Sequence, residues 1–221
     1  NEAAYAETCA AIGLVFWAQR MLQIEADGRY ADVMERALYN GALSGVSLDG
    51  ARFFYANPLE VDPAMHAGRP DLIRAPAVSA VRQGWFPCAC CPPNIARLLA
   101  SLGGYAYSTA ESWVYVHLYV GGRVEAEVPG GPVVLEQTTD YPWDGEIEIV
   151  VRGAAPRRFG LALRIPGWCR EYSLSVNGER VSEPTVCKGY ALLDRLWRPG
   201  DRVFLRLSMP VERVEAHPSV R

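Results

Sequence analysis

Trp113-Val114-Tyr115-Val116-His117-Leu118-Tyr119-Val120 alternates along its length, the pattern of a strand with one face turned to a core. It lies where the periodicity of the chain changes. Up to about Ser108 apolar residues recur at helical spacing, and beyond it they recur at every second position. Similar runs follow at 123–128, 133–138, 146–152, 159–165, 172–176, 190–194 and 202–209, with Asn177-Gly178 as a two-residue hairpin turn. Short strands at this spacing predict an antiparallel β-sandwich. The expected division is a helical part over residues 1–108 and a sandwich over 109–221, a multidomain chain with α preceding β.

In the helical part, residues 10–24 carry Ile12, Val15 and Phe16 on one face and Leu14, Trp17, Met21 and Ile24 on another. That distribution predicts a helix buried nearly all round. Residues 28–43 place Tyr30, Val33, Met34, Ala37 and Leu38 on a single apolar face, as in an amphipathic outer helix. The connection over 44–87 is too long for an ordinary loop and is expected to be functional or to hold short strands, one of them at 52–57. A third helix is predicted from Pro92 or Pro93 through Ile95, Leu98, Leu99 and Leu102 to a stop at Gly103-Gly104, because proline suits a first helical turn.

The 221 residues have a net charge of −3 and no basic run, so nothing marks a nucleic-acid or anionic-membrane surface. No apolar stretch approaches the roughly 20 residues that span a bilayer. The first residues lack the basic segment of a signal peptide. The chain starts without methionine and ends without punctuation at Ser219-Val220-Arg221, as expected of an excerpt from something longer. Six cysteines are too few for a disulfide scaffold, and a Cys90–Cys91 bridge would be strained. A reducing compartment, the cytoplasm, is expected.

Chemistry concentrates in two segments. Cys88-Ala89-Cys90-Cys91-Pro92-Pro93-Asn94 puts sulfurs at the start of a helix, and Glu7-Thr8-Cys9 offers a carboxylate and a thiol near the N-terminus. Glu7, Cys9, Cys90 and Cys91 together make one oxygen and three sulfurs, a four-coordinate set suited to Zn2+. Free amides at the helix start are expected to lower the pKa of Cys90 or Cys91, leaving it partly thiolate at neutral pH. Cys88 would be a fifth sulfur for which a tetrahedral site has no place. Cys169 and Cys187 lie among strands and read as structural, as buried cysteines commonly are. His117 reads as a packed or surface residue of its strand, His66 as a residue of the long connection able to line a pocket, and His217 as part of the terminal tail.

Glu7-Thr8-Cys9-Ala10, Arg36-Ala37-Leu38-Tyr39-Asn40, Phe53-Phe54-Tyr55-Ala56-Asn57-Pro58-Leu59, and Trp85-Phe86 leading to Cys90-Cys91-Pro92-Pro93-Asn94 resemble glycoside hydrolase family 127, the β-L-arabinofuranosidase family. Arg164-Ile165-Pro166-Gly167-Trp168 and Val176-Asn177-Gly178 extend the resemblance through the strand-rich part. It implies the C-terminal part of an (α/α)6 catalytic barrel followed by a β-sandwich. It also implies retaining hydrolysis by a zinc-bound cysteine thiolate. The zinc ligands would be Glu7, Cys9, Cys90 and Cys91, with Cys90 as nucleophile. The family's general acid/base glutamate would fall ahead of Asn1. Tyr55 and Asn57 are candidate sugar contacts, by stacking and hydrogen bonding.

The expected partner is a carbohydrate, an L-arabinofuranoside or related plant-derived sugar, with no nucleic acid and no membrane; the parent protein could form a homodimer. An alternative of a different class is a non-catalytic carbohydrate-binding or assembly module with a structural zinc. A lyase-like or epimerase-like barrel enzyme without zinc is a third, and predicts no dependence on Cys9.

Overall fold

The computed structural model of the protein describes residues 6–57, 79, 81–153, 155–215 and 217–218. Pro58, Leu59 and His66, named above, lie outside them. The chain divides into two compact units, one of Asn1–Arg20, Val33–Ser101 and Glu212–Arg221, the other of Met21–Asp32 and Leu102–Val211.

Helix α1 (Thr8–Ile24), whose residues 8–20 belong to the first unit, buries Ile12, Val15 and Ala18, a stripe of i, i+3 and i+6 positions, while Leu14 and Trp17 are exposed. The helix is therefore not enclosed all round. Helix α2 (Gly28–Arg36) ends earlier than the predicted 43 and runs on as a π-helical turn, Ala37–Ala42, and a 3-10 turn, Leu43–Gly45. The π turn comes so close to α1 that a Cβ on Gly41 would meet the Ala11 Cβ at 2.8 Å, a contact that only glycine permits.

The predicted strand at 52–57 is replaced by isolated bridges. Phe53 pairs with Val46 and with Gln83, and Ala56 pairs with Glu7. Each partner comes from a different segment, so no ladder can propagate. Helix α3 (Cys91–Ser101) starts one residue before Pro92 and buries Leu98. In the second unit Gly103 and Gly104 do not stop the chain's helical path but open a four-residue helical turn, α4 (Gly103–Ala106).

The strands that follow are β1 (Tyr107–Ala110), β2 (Trp113–Val116), β3 (Gly122–Val128), β4 (Gly131–Thr139), β5 (Glu146–Arg152), β6 (Arg157–Arg164), β7 (Tyr172–Val176), β8 (Glu179–Arg180), β9 (Thr185–Cys187), β10 (Tyr190–Trp197) and β11 (Arg202–Leu207). They form a five-stranded sheet ordered β1-β2-β6-β10-β9 and a six-stranded sheet ordered β3-β4-β5-β11-β7-β8. The fold is mixed α and β, with both sheets rich in antiparallel pairs.

One pair departs from the expected antiparallel pattern. β2 runs parallel to β6, with Trp113 opposite Gly160, because the chain leaves for the second sheet through β3, β4 and β5 before it returns. Gly160 is required there: a Cβ would run into the Trp113 ring, the usual meaning of glycine inside a strand. The hairpin between β7 and β8 turns on Asn177 and Gly178, at φ 54° and 84°, as a type I′ turn demands.

The second unit also buries polar groups, each with partners. Arg164 is fully buried; its Nε donates to the His117 carbonyl at 2.6 Å and its guanidinium meets Asp32 Oδ1 at 2.7 Å. The His117 ring lies 2.7 Å from both Ser108 Oγ and Tyr190 Oη. No helix among the described residues is long and apolar enough to cross a membrane.

Candidate metal centre

The site belongs wholly to the first unit and is assembled from three segments. Glu7 precedes α1, and its carbonyl accepts from the Ala10 and Ala11 amides at 3.0 and 3.1 Å, so the first turn fixes where Glu7 and Cys9 stand. The 54–57 segment is stitched across that helix start. Thr8 N donates to Tyr55 O at 2.9 Å, Thr8 Oγ1 to Phe54 O at 2.7 Å and Asn57 N to Ala6 O at 2.7 Å. Cys90 and Cys91 sit at the start of α3, where the Cys90 carbonyl accepts from Asn94 N at 3.4 Å. Behind them Phe53 and Phe86 pack edge to face at 5.2 Å with the buried Cys91.

The four side chains named from the sequence converge. One donor atom from each of Glu7, Cys9, Cys90 and Cys91 lies within 4.8 Å of all the others. The sulfurs of Cys9 and Cys91 are 3.6 Å apart, those of Cys90 and Cys91 3.8 Å, and Cys90 Sγ is 3.5 Å from Glu7 Oε1. A tetrahedron with 2.3 Å metal–sulfur and 2.0 Å metal–oxygen bonds has sulfur–sulfur edges of about 3.8 Å and sulfur–oxygen edges of about 3.5 Å. The donor set therefore has the chemistry of a four-coordinate metal site, and these three of its edges have the lengths one requires. All six cysteines are free thiols.

The helix start does not lower these thiols. Burial pushes the Cys90 thiol up to about 11, against an opposing hydrogen bond from Tyr55, and burial likewise raises Cys91, reinforced by the Cys9 and Cys90 sulfurs. Pro92 and Pro93 explain the difference from expectation. Proline has no N–H, so two of the amides that would have faced a thiolate are missing.

Tyr55 is brought to the centre, its hydroxyl 3.4 Å from Cys90 Sγ. Asn57 is not turned to the sulfurs: its side-chain amide donates to Thr8 Oγ1 at 3.1 Å and to Gly41 O at 3.5 Å. Cys88 is exposed and outside the four, with its thiol pulled below the ordinary value by the Tyr55 hydroxyl and then by Cys90. Cys169 lies in the second unit, 3.1 Å from Glu171 O, and Cys187 is exposed. Sequence reasoning passed over Asn94, whose Nδ2 lies 3.0 Å from Cys9 Sγ. Its signal was positional, an amide in the first turn of the helix that begins with Cys91.

A helical unit that gathers three thiols and a carboxylate able to hold a metal ion, with antiparallel-rich sheets in the second unit, defines a mixed α/β protein with a candidate Glu/Cys metal centre. Residues 1–104 match the family model described as the β-L-arabinofuranosidase GH127 catalytic domain, and residues 113–209 match the GH127 middle domain. The chain belongs to glycoside hydrolase family 127. It is 39% identical over 231 aligned residues to a non-reducing end β-L-arabinofuranosidase of Bifidobacterium longum, covering all of this chain and 33% of that protein. Among solved structures it is similar to a GH127 β-L-arabinofuranosidase from Geobacillus stearothermophilus T6, at 53% identity and a TM-score of 0.90, covering 100% of this chain and 34% of that one. A GH127 β-arabinofuranosidase structure aligns at 40% identity and a TM-score of 0.83, over 95% of this chain and 33% of that one. The chain thus spans about a third of the length of these relatives.

Proposed function

We propose that this chain carries the metal-thiolate half of a retaining glycoside hydrolase acting on β-L-arabinofuranosides, with Zn2+ held by Glu7, Cys9, Cys90 and Cys91. Residues 1–108 would be the C-terminal part of an (α/α)6 barrel and 109–221 a β-sandwich. The observation that carries the proposal is the convergence of the four donors within 4.8 Å of one another, three of their separations being tetrahedral edge lengths, in a chain of this family.

The chemistry that a bound zinc ion supplies is removal of the thiol protons at neutral pH. Cys90 is then the nucleophile. Its sulfur forms a bond to the anomeric carbon as the glycosidic carbon–oxygen bond breaks and an acid protonates the departing oxygen. Water, deprotonated by the conjugate base of that acid, displaces Cys90 from the same carbon, and the two displacements together retain configuration. This differs from the common two-carboxylate arrangement. The Tyr55 hydroxyl accepts from the Cys90 thiol at 3.4 Å; once that proton is gone it turns donor and aims the sulfur.

The test is Cys90→Ser in the whole protein, assayed on an aryl β-L-arabinofuranoside with zinc content and melting temperature measured alongside. Loss of turnover with the fold intact is expected. Full turnover would remove Cys90 as nucleophile, and unfolding together with metal loss would favour a structural zinc in a non-catalytic carbohydrate-binding or assembly module.

A further inference from the structure

Asn94 Nδ2 lies 3.0 Å from Cys9 Sγ, and Asn94 Oδ1 accepts from the Arg97 guanidinium at 2.8 Å. Arg97 in turn lies over the Phe16 ring, 4.7 Å from its centroid. An asparagine side chain can face a neighbour with its oxygen or its nitrogen, and the hydrogen-bond network decides which. Here the choice is forced. Arginine has five N–H donors and no acceptor, so only the carbonyl oxygen can face Arg97 and only the NH2 can face the sulfur.

We propose that Asn94 and Arg97 are a positioning pair that tunes the metal site through Cys9. Arg97 holds the amide in the orientation that presents N–H to the sulfur, and that N–H stabilises the sulfur as a metal ligand and fixes its direction. A hydrogen bond to a ligand's charged form fixes both its direction and its electron density, and loss of such a partner typically costs about 10- to 100-fold in metal affinity. The geometry has a local cause: Asn94 and Arg97 are three residues apart on α3 and share one face of it, while Cys9 stands on the first turn of α1. The inference rests on the assignment of Cys9 as a metal ligand.

The test is zinc affinity by chelator competition on this chain, wild type against Asn94→Asp and Arg97→Leu, with Co2+ as spectroscopic probe. Asn94→Asp keeps the size and can keep the Arg97 contact, but turns an oxygen toward the sulfur; zinc affinity should fall about 10- to 100-fold. The thiolate-to-cobalt charge-transfer band should move to lower energy, because a thiolate without its N–H donor gives up an electron more readily. Arg97 is exposed, so Arg97→Leu leaves the core alone and should produce a smaller change in the same direction. Wild-type affinity and an unmoved band in both variants would overturn the positioning pair while leaving the metal site standing. Failure of the folded wild-type chain to bind zinc or cobalt would overturn the ligand assignment and the pair with it.

Discussion

The sulfurs of Cys9 and Cys91 lie 3.6 Å apart although 82 positions separate the two residues. That closeness comes from two helix starts, α1 and α3, held over the 54–57 segment. At this distance two thiols form at best a weak hydrogen bond, whereas two thiolates sharing a cation sit naturally at a tetrahedral edge.

Zinc binding should release protons. Burial holds the Cys90 thiol up to about 11 and raises Cys91 as well, so both carry protons at neutral pH in the metal-free chain and must lose them on coordination. At least two protons should be released per ion, and affinity should rise about 100-fold per pH unit between about pH 6 and pH 8. Calorimetry in buffers of different ionisation enthalpy measures the release; a pH-independent affinity would contradict the thiolate assignment.

The second unit should depend on the carboxylate of Asp32. It faces the fully buried Arg164 at 2.7 Å and also accepts from the Gly167 amide at 3.0 Å. Asp32→Ala removes the counter-charge from a buried guanidinium, a change that costs about 3 kcal/mol or more. Urea denaturation followed by the β-sheet signal measures it, and a loss under about 1 kcal/mol would show that water replaces the carboxylate.

His117 should make the second unit acid-sensitive. Burial, then the Arg164 charge, pushes its pKa down from 6.5 to about 4. The unfolded chain therefore takes up the proton first as pH falls. The contribution to stability is complete above about pH 6.5, declines toward pH 4 and totals about 3 kcal/mol. Comparing urea midpoints at neutral and acid pH, the wild type should lose more stability on acidification than His117→Gln. Equal losses would mean that the histidine is not the sensor.

Much of the strand content is legible because alternation survives in the sequence. Arg202–Leu207 buries every second residue, and hydropathy alone finds it. β8 and β9 escape because they are short and wholly exposed, leaving no pattern to detect. The parallel pairing of β2 with β6 is set by the path of the chain between sheets and not by any residue of either strand. At the site, the four donor residues were recognisable from their chemistry, but the direction of a side chain is a tertiary property. Tyr55 turned to Cys90 and Asn57 turned to Thr8 are separated by a single residue. Pro92 and Pro93 announce the missing amides in the sequence, whereas the burial that raises the Cys90 thiol is a tertiary property.

The most direct test of the central claim is the metal content of the reduced, purified chain, by elemental analysis beside Cys9→Ser. About one zinc per chain, lost in the variant, is the predicted result for a tetrahedral site with Cys9 in its ligand set. A well-folded chain without zinc, or a Cys9→Ser variant that keeps its full complement, would contradict it.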